Sequence, residues 1–84
     1  MPTFYVIKTE NGSFYEVEET GGLFKPKKLF VMIKGEKIEI KNVMDGEVKT
    51  LTGVYGLLNR TPLLSTGGHT SKVTAIYRLK IMVS

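Results

Sequence analysis

KLFVMIKGEKIEIKNV, residues 28–43, has the pattern of a complete β-hairpin. Gly35 and Glu36 are predicted to form a two-residue type II′ turn, because glycine accepts the positive φ that the first central position requires. Counting outward from this turn pairs Ile33 with Ile38. Side chains alternate between the two faces of a strand, so one face of the hairpin is predicted to be apolar core. That face consists of Leu29, Val31, Ile33, Ile38 and Ile40.

The opposite face of the hairpin combines lysines with one aromatic ring and one thioether. An exposed sheet face is normally charged, and lysines also protect strand edges from aggregation, so a solvated surface explains this pattern without any ligand. The alternative is a surface for nucleic acid, on which a base stacks on the ring while phosphates meet the ammonium groups. The residues of this face are Lys28, Phe30, Met32, Lys34, Lys37, Glu39 and Lys41.

The composition is typical of one small globular β domain covering residues 1–84. The chain is 42% hydrophobic and 24% charged, and no apolar run approaches the roughly 20 residues that span a bilayer. No membrane partner is therefore expected. No charged leader precedes the first alternating pattern, so the predicted compartment is the cytoplasm, or the host cytoplasm for a viral protein. Because cysteine is absent, stability depends on packing and hydrogen bonding, with homo-oligomerisation as a further source.

The formal net charge of +4 is unevenly distributed along the chain. Residues 1–20 carry Lys8 and four glutamates, a net charge of −3, whereas residues 21–84 carry eleven lysines and arginines and four acidic residues, a net charge of +7. A molecule with two oppositely charged poles suits the steering of a charged partner or head-to-tail association.

Asn11 and Gly12 predict another hairpin near the N-terminus, because both residue types tolerate the positive φ values of a type I′ turn. The flanking strands are predicted over residues 3–10 and 13–19. A two-residue turn places one set of side chains on a common face and the alternating set on the other. The first set is Phe4, Val6, Tyr15 and Val17, and the second is Tyr5, Ile7, Phe14, Glu16 and Glu18.

Three further elements are predicted in the second half of the chain. Residues 47–52 alternate well enough for a strand after the Asp45-Gly46 turn. Pro62–Ser65 is predicted as one helical turn, because proline suits the first helical position. Residues 72–84 alternate throughout and predict a long closing strand. The expected fold class is all-β, with about six strands and one short helical turn arranged as a small antiparallel barrel or a strongly bent sheet.

Catalytic chemistry is not expected from this sequence. It contains no recognisable nucleophile with its base and no carboxylate pair placed in a pocket. A single histidine, His69, excludes a multi-histidine zinc site within one chain. We therefore predict a protein that is not an enzyme and that carries neither a cofactor nor a metal.

Sequence-independent binding of nucleic acid is the leading functional prediction. Lysines outnumber arginines on the candidate surface, and a lysine neutralises phosphate as a point charge without reading bases. The predicted site joins the hairpin face to the connector before it and to the closing strand. Its residues are Lys25, Lys27, Lys28, Phe30, Lys34, Lys37, Lys41, Arg78 and Lys80.

Two alternative functions remain open. One is a protein-interaction or inhibitor module, of the kind that phages and viruses encode, which binds an acidic protein surface through exposed aromatics. The other is an oligomer that sequesters a small phosphorylated ligand through the loop 60–72, where glycine amides and hydroxyls supply donors to an anion. The spacing is not that of a Walker loop. The candidate ligand-binding residues are Arg60, Ser65, Thr66, Gly67, Gly68, His69, Thr70 and Lys72.

Overall fold

The computed structural model describes residues 3–21, 27–41 and 53–79. These residues form one antiparallel sheet of five strands and one short 3₁₀ helix, Gly53–Leu57. The strands are β1 Thr3–Thr9, β2 Phe14–Thr20, β3 Lys28–Ile33, β4 Glu36–Glu39 and β5 Val73–Arg78. The all-β prediction is therefore confirmed for the described residues. The strand predicted over residues 47–52 lies outside them.

The strand order is β4-β3-β2-β1-β5, so the first four strands form a meander and β5 returns to pair with β1. Strand pairing does not close this sheet into a barrel among the described residues, and the barrel stays a prediction. No helix in the described ranges is long and apolar enough to cross a membrane.

One face of the sheet, called here the inner face, carries the core. The 3₁₀ helix packs against this face through Val54 and Leu57, both of which are fully buried. Each fully buried aliphatic side chain contributes about 1.5 to 3 kcal/mol. The buried apolar residues are Tyr5, Ile7, Val17, Leu29, Val31, Ile38, Ile40, Val54, Leu57 and Val73.

The central hairpin has the predicted faces but a different turn. Ile33 pairs with Glu36, and the two turn residues are Lys34 and Gly35, with φ values of 51° and 80°. Positive φ at both positions is the pattern of a type I′ turn, so the predicted type II′ turn is wrong. The pairing differs from the predicted one by two residues, which leaves every side chain on its predicted face.

The first hairpin differs from its prediction by one residue, and this difference exchanges the two faces of β2. Its loop has three residues, because Thr9 N–H donates to Ser13 O and Gly12 N–H donates to Thr9 O, each over 2.9 Å. Gly12 has a φ of 87°. The Asn11 side chain accepts hydrogen bonds from the Thr9 hydroxyl and from Ser13 N–H, so Asn11 acts as a side-chain acceptor in a three-residue loop.

As a consequence, the predicted grouping of Tyr15 and Val17 with Phe4 is wrong. Val17 pairs with Tyr5, and Tyr15 pairs with Ile7, on the inner face. A slip of one residue moves a whole strand face from solvent to core, which is why an odd loop length reverses the assignment.

The closing strand contains a bulge that interrupts its alternation. Thr9 pairs with Val73 and Lys8 pairs with Ala75, which leaves Thr74 as an extra residue. Val73 and Ile76 therefore both pack toward the core, although simple alternation places them on opposite faces. The described part of this strand ends at Arg78.

The segment 58–70 connects the two outermost strands and contains no helical turn at Pro62–Ser65, so that prediction is wrong. Lys41 N–H donates to Leu63 O over 2.8 Å, which joins the segment to the end of β4. Val73 N–H donates to Arg60 O over 2.9 Å, which joins it to β5. Proline at position 62 is fully buried and opens a small hairpin rather than a helix.

Candidate interaction surface on the outer face of the sheet

The face of the sheet opposite the core, called here the outer face, is built from two rows of side chains that cross all strands. Strand registers fix these rows, because residues directly paired on neighbouring strands lie on the same face. Read from β4 to β5, one row is Lys37, Met32, Glu16, Val6 and Tyr77. The next row is Glu39, Phe30, Glu18 and Phe4, and it ends at Leu79, whose N–H donates to Phe4 O over 2.9 Å.

Glutamates lie within the surface that the sequence predicted to be basic. Glu16 pairs with Met32 and Glu18 pairs with Phe30, so β2 places two carboxylates beside the central hairpin. Sequence reasoning missed this arrangement because it predicted no register between β2 and β3. The central part of the outer face is consequently mixed in charge.

Lys37 is held between a ring and a carboxylate. Its Nζ lies 2.9 Å from Glu18 Oε1 and 4.6 Å from the centre of the Phe30 ring. A cation–π contact and an exposed ion pair each contribute about 1 kcal/mol or less. Because Lys37 covers this ring, a nucleic-acid base that stacks on Phe30 must first displace the lysine.

The residues predicted to bind nucleic acid do not form one surface. Lys28, Phe30 and Lys37 lie on the outer face, and Lys34 lies in the hairpin turn. Arg78 pairs with Tyr5 and therefore lies on the inner side, away from Phe30. Lys27 and Lys41 flank the hairpin, whereas Lys25 and Lys80 are outside the described residues.

The β1 and β5 half of the outer face is apolar and exposed. Phe14 is 60% exposed, Tyr77 53% and Leu79 40%. Lys8 is the one charged residue that the registers place among them, and its Nζ lies 5.9 Å from the Phe14 ring. This apolar strip consists of Phe4, Val6, Phe14, Ala75, Tyr77 and Leu79. A solvated face of an antiparallel sheet is normally polar, so the strip is an unusual feature.

The loop predicted to bind phosphate is a tight hairpin, and several of its donors form hydrogen bonds within the hairpin or to β4. Leu63 pairs with His69, Gly67 N–H donates to Leu64 O over 3.0 Å, and Leu64 N–H accordingly donates to Gly68 O over 3.1 Å. This is the hydrogen-bond pattern of the Thr9–Ser13 loop. Ser65 N–H donates to Glu39 O over 2.8 Å.

Two further side chains of that loop lie within hydrogen-bond distance of its own backbone oxygens. The Thr70 hydroxyl donates to Ser71 O over 2.9 Å, and His69 Nδ1 lies 2.9 Å from Thr70 O. Arg60 and Lys72 are brought together, since Arg60 O accepts the N–H of Val73, the next residue after Lys72. Ligand binding by this loop stays a prediction.

A cluster of polar side chains, of which Tyr5 is buried and Tyr55 is exposed, holds the 3₁₀ helix on the sheet. Glu19 Oε2 accepts the Val54 N–H over 3.0 Å, and the rings of Tyr5 and Tyr55 meet edge to face at 5.7 Å. Burial, together with the charge of Glu19 and the neighbouring Tyr55, raises the pKa of Tyr5 above its ordinary value. Among the described residues, no group of three or more histidines and carboxylates is placed to hold a metal ion.

Comparisons of the chain with protein-family models, with curated proteins and with solved structures find no match.

Proposed function

We propose that the protein is a protein-interaction module that binds its partner through the apolar strip of the outer face. The proposal rests on the exposure of Phe14, Tyr77 and Leu79 beside the half-buried side chains of Phe4 and Val6. Contiguous exposed apolar patches bordered by polar residues are typical of protein-binding sites. Large aromatic side chains also dominate the binding energy of such interfaces.

The surroundings of the strip indicate the chemistry of the partner. Lys8 is the cation closest to the Phe14 ring, and Glu16 and Glu18 border the strip on the β2 side. A partner that inserts an apolar side chain beside a carboxylate fits this arrangement, since the carboxylate meets Lys8. The proposed partner is thus a protein with an apolar anchor, a carboxylate that meets Lys8 and basic groups that meet Glu16 and Glu18.

The test compares two tyrosines that are equally exposed on opposite sides of the molecule. Tyr77 is 53% exposed on the strip, and Tyr55 is 54% exposed on the 3₁₀ helix beside Tyr5. A partner is first isolated from the source cells with the wild-type chain, and its affinity is then measured by calorimetry. Tyr77→Ala is expected to weaken binding by about 30-fold or more, as an interface anchor does. Tyr55→Ala is expected to leave the affinity unchanged.

Equal losses in the two variants would contradict the proposal, and so would full affinity in both Tyr77→Ala and Phe14→Ala. Thermal melting of each variant separates a loss of binding from a loss of fold. A protein partner also predicts a weak salt dependence of dissociation, because the anchors are apolar.

Nucleic-acid binding is the second candidate, and one observation favours it. Ile40 N–H donates to Leu29 O over 2.8 Å, a register that places Lys41 opposite Lys28, with Lys27 next in sequence. Among the described residues, Lys37 is the lysine that forms an ion pair. The ammonium groups of Lys27, Lys28 and Lys41 form no ion pair with those residues. They lie at the end of the hairpin beyond Phe30.

Oligonucleotide titrations at several salt concentrations test this candidate. Changing Lys28 or Lys41 to Ala is expected to reduce the slope of log K against log salt by about one. Phe30→Ala is expected to weaken single-stranded binding by ~1 to 3 kcal/mol with little change in slope. Lys72→Ala, at an exposed lysine of another segment, is the control. The candidate is falsified if mixed-sequence oligonucleotides do not bind at micromolar protein in low salt.

A further inference from the structure

The two outermost strands of the sheet differ in how their edges are covered. On β4, Ser65 N–H donates to Glu39 O and Lys41 N–H donates to Leu63 O, each over 2.8 Å. On β5, the backbone hydrogen bonds with the segment 58–70 are made by Val73. The remaining length of β5 is therefore an open edge with respect to the described part of the chain.

The hydrogen bond from Leu79 N–H to Phe4 O shows which backbone groups point outward. Backbone groups alternate along a strand, so Leu79, Tyr77 and Ala75 direct their N–H and C=O groups toward β1. Ile76 and Arg78 direct theirs away from it. An exposed row of such groups is a template for pairing with another strand.

We infer that two copies of the chain pair through β5 as antiparallel strands, with Tyr77 opposite Tyr77 on the two-fold axis. The product is a continuous sheet in which the five strands of one copy extend into the five of the other. This inference does not depend on the proposed partner. It predicts that the two apolar strips join into one surface across the axis.

The register follows from the chemistry of β5. In an antiparallel pair, residues whose backbone groups point away from β1 must lie opposite each other. The two-fold axis therefore passes through a residue and not between two residues. An axis at Arg78 sets two guanidinium groups directly opposite each other, which is unfavourable. An axis at Ile76 or Ala75 requires pairing by Thr74, which is the bulged residue, and bulges disrupt ladder pairing. The axis at Tyr77 avoids both.

With this axis the side chains are complementary to themselves. Tyr77 meets its symmetry mate at a non-hydrogen-bonded position, where side chains are closest and aromatic pairs are favourable. Ile76 and Arg78 of opposite copies exchange backbone hydrogen bonds, so each guanidinium lies beside an aliphatic side chain. The one charged residue of β5 thus has no like charge directly opposite.

The first experiment measures the mass of the native protein by analytical ultracentrifugation. The chain has a mass of 9.4 kDa, and a species of twice that mass is expected. Tyr77→Lys is expected to give the monomer, because it sets two ammonium groups face to face. Phe14→Lys changes a comparably exposed strip residue away from the edge, and it is the matched control that keeps the dimer.

The second experiment determines the register. The chain contains no cysteine, so a single introduced cysteine reports one position. Under mild oxidation, Tyr77→Cys is expected to form the disulfide dimer readily, since Cα atoms of non-hydrogen-bonded pairs lie within disulfide range. Thr74→Cys, which is also exposed but lies off the axis, is expected to cross-link poorly.

Three results would overturn the inference. They are a monomer at millimolar wild-type protein, a dimer that persists in Tyr77→Lys but dissociates in Phe14→Lys, and stronger cross-linking at position 74 than at position 77. A wild-type monomer that instead gains a strand from a peptide of another protein would assign the same edge to a different occupant.

Discussion

Gly53 illustrates how one residue joins the 3₁₀ helix to the sheet. Its φ is 80°, and a Cβ at this position would collide with the carboxylate of Glu19. That carboxylate also accepts the Val54 N–H. Gly53→Ala is therefore expected to lower the free energy of unfolding by about 2 to 4 kcal/mol, through backbone strain and the loss of a charged hydrogen bond. Urea denaturation measures this loss.

Gly35 supplies the matched control, because it has the same φ of 80° but nothing lies within 4 Å of its added Cβ. Gly35→Ala is expected to destabilise by only about 1 to 2 kcal/mol, the strain of the left-handed conformation alone. If both substitutions destabilise equally, the collision with Glu19 has no energetic weight. Sequence reasoning could not find this contact, since Glu19 and Gly53 are distant in the chain.

The first hairpin shows what the side chain of one loop residue contributes to an element. Deleting Asn11 leaves a two-residue loop between Thr9 and Ser13, so β2 keeps its register, but the acceptor of the Thr9 hydroxyl and of Ser13 N–H is lost. This variant is expected to keep a cooperative thermal transition with a midpoint lower by about 4 to 8 °C, as followed by near-ultraviolet circular dichroism of the tyrosines. A transition at the wild-type midpoint would show that these two hydrogen bonds have no energetic weight.

The hairpin of the segment 58–70 has the same loop pattern and serves as the control for that deletion. Its arms carry the single bridge Leu63 to His69 instead of two core strands. Deleting Thr66, which lies in the middle of that loop, is therefore expected to lower the midpoint less. An equal loss in both deletions would mean that the shorter loop itself, and not the loss of the Asn11 hydrogen bonds, destabilises the protein.

The strands themselves were predictable, because alternation and turn residues are local properties of the sequence. The core face of the central hairpin is confirmed at Leu29, Val31, Ile38 and Ile40. The face of β2 was not predictable, because a three-residue and a two-residue loop fit the same Asn11-Gly12 sequence. The bulge at Thr74 was not predictable either, because no residue type in this part of the sequence requires a bulge.

Local unfolding of the molecule is expected to begin at the segment 58–70 and not in the central strands. Val17 and Val31 are fully buried residues of the central strands β2 and β3. The amides of Leu64 and Gly67 lie in a hairpin that is joined to β4 by isolated bridges. Hydrogen exchange measured by NMR should be slower at the first pair by a factor of about 100 or more. Uniform protection across these four amides would instead indicate a single cooperative unit.

The composition of the outer face is a property of the assembled sheet, which is why only half of it could be predicted from the sequence. Lysines near Phe30 are visible in the hairpin alone. The carboxylates of Glu16 and Glu18 enter this surface only when β2 pairs with β3. The apolar strip likewise requires β5 to return beside β1, a pairing between distant segments.

The two-residue displacement of the central hairpin has a consequence for folding. A register with Ile33 opposite Ile38 and the observed one with Val31 opposite Ile38 bury the same side chains. Hydrophobic collapse therefore does not discriminate between them. The choice rests on the turn, in which Lys34 adopts a φ of 51° and Gly35 a φ of 80°. Substitutions at Lys34 consequently act on conformational specificity, the uniqueness of the native state, more than on the depth of its energy minimum.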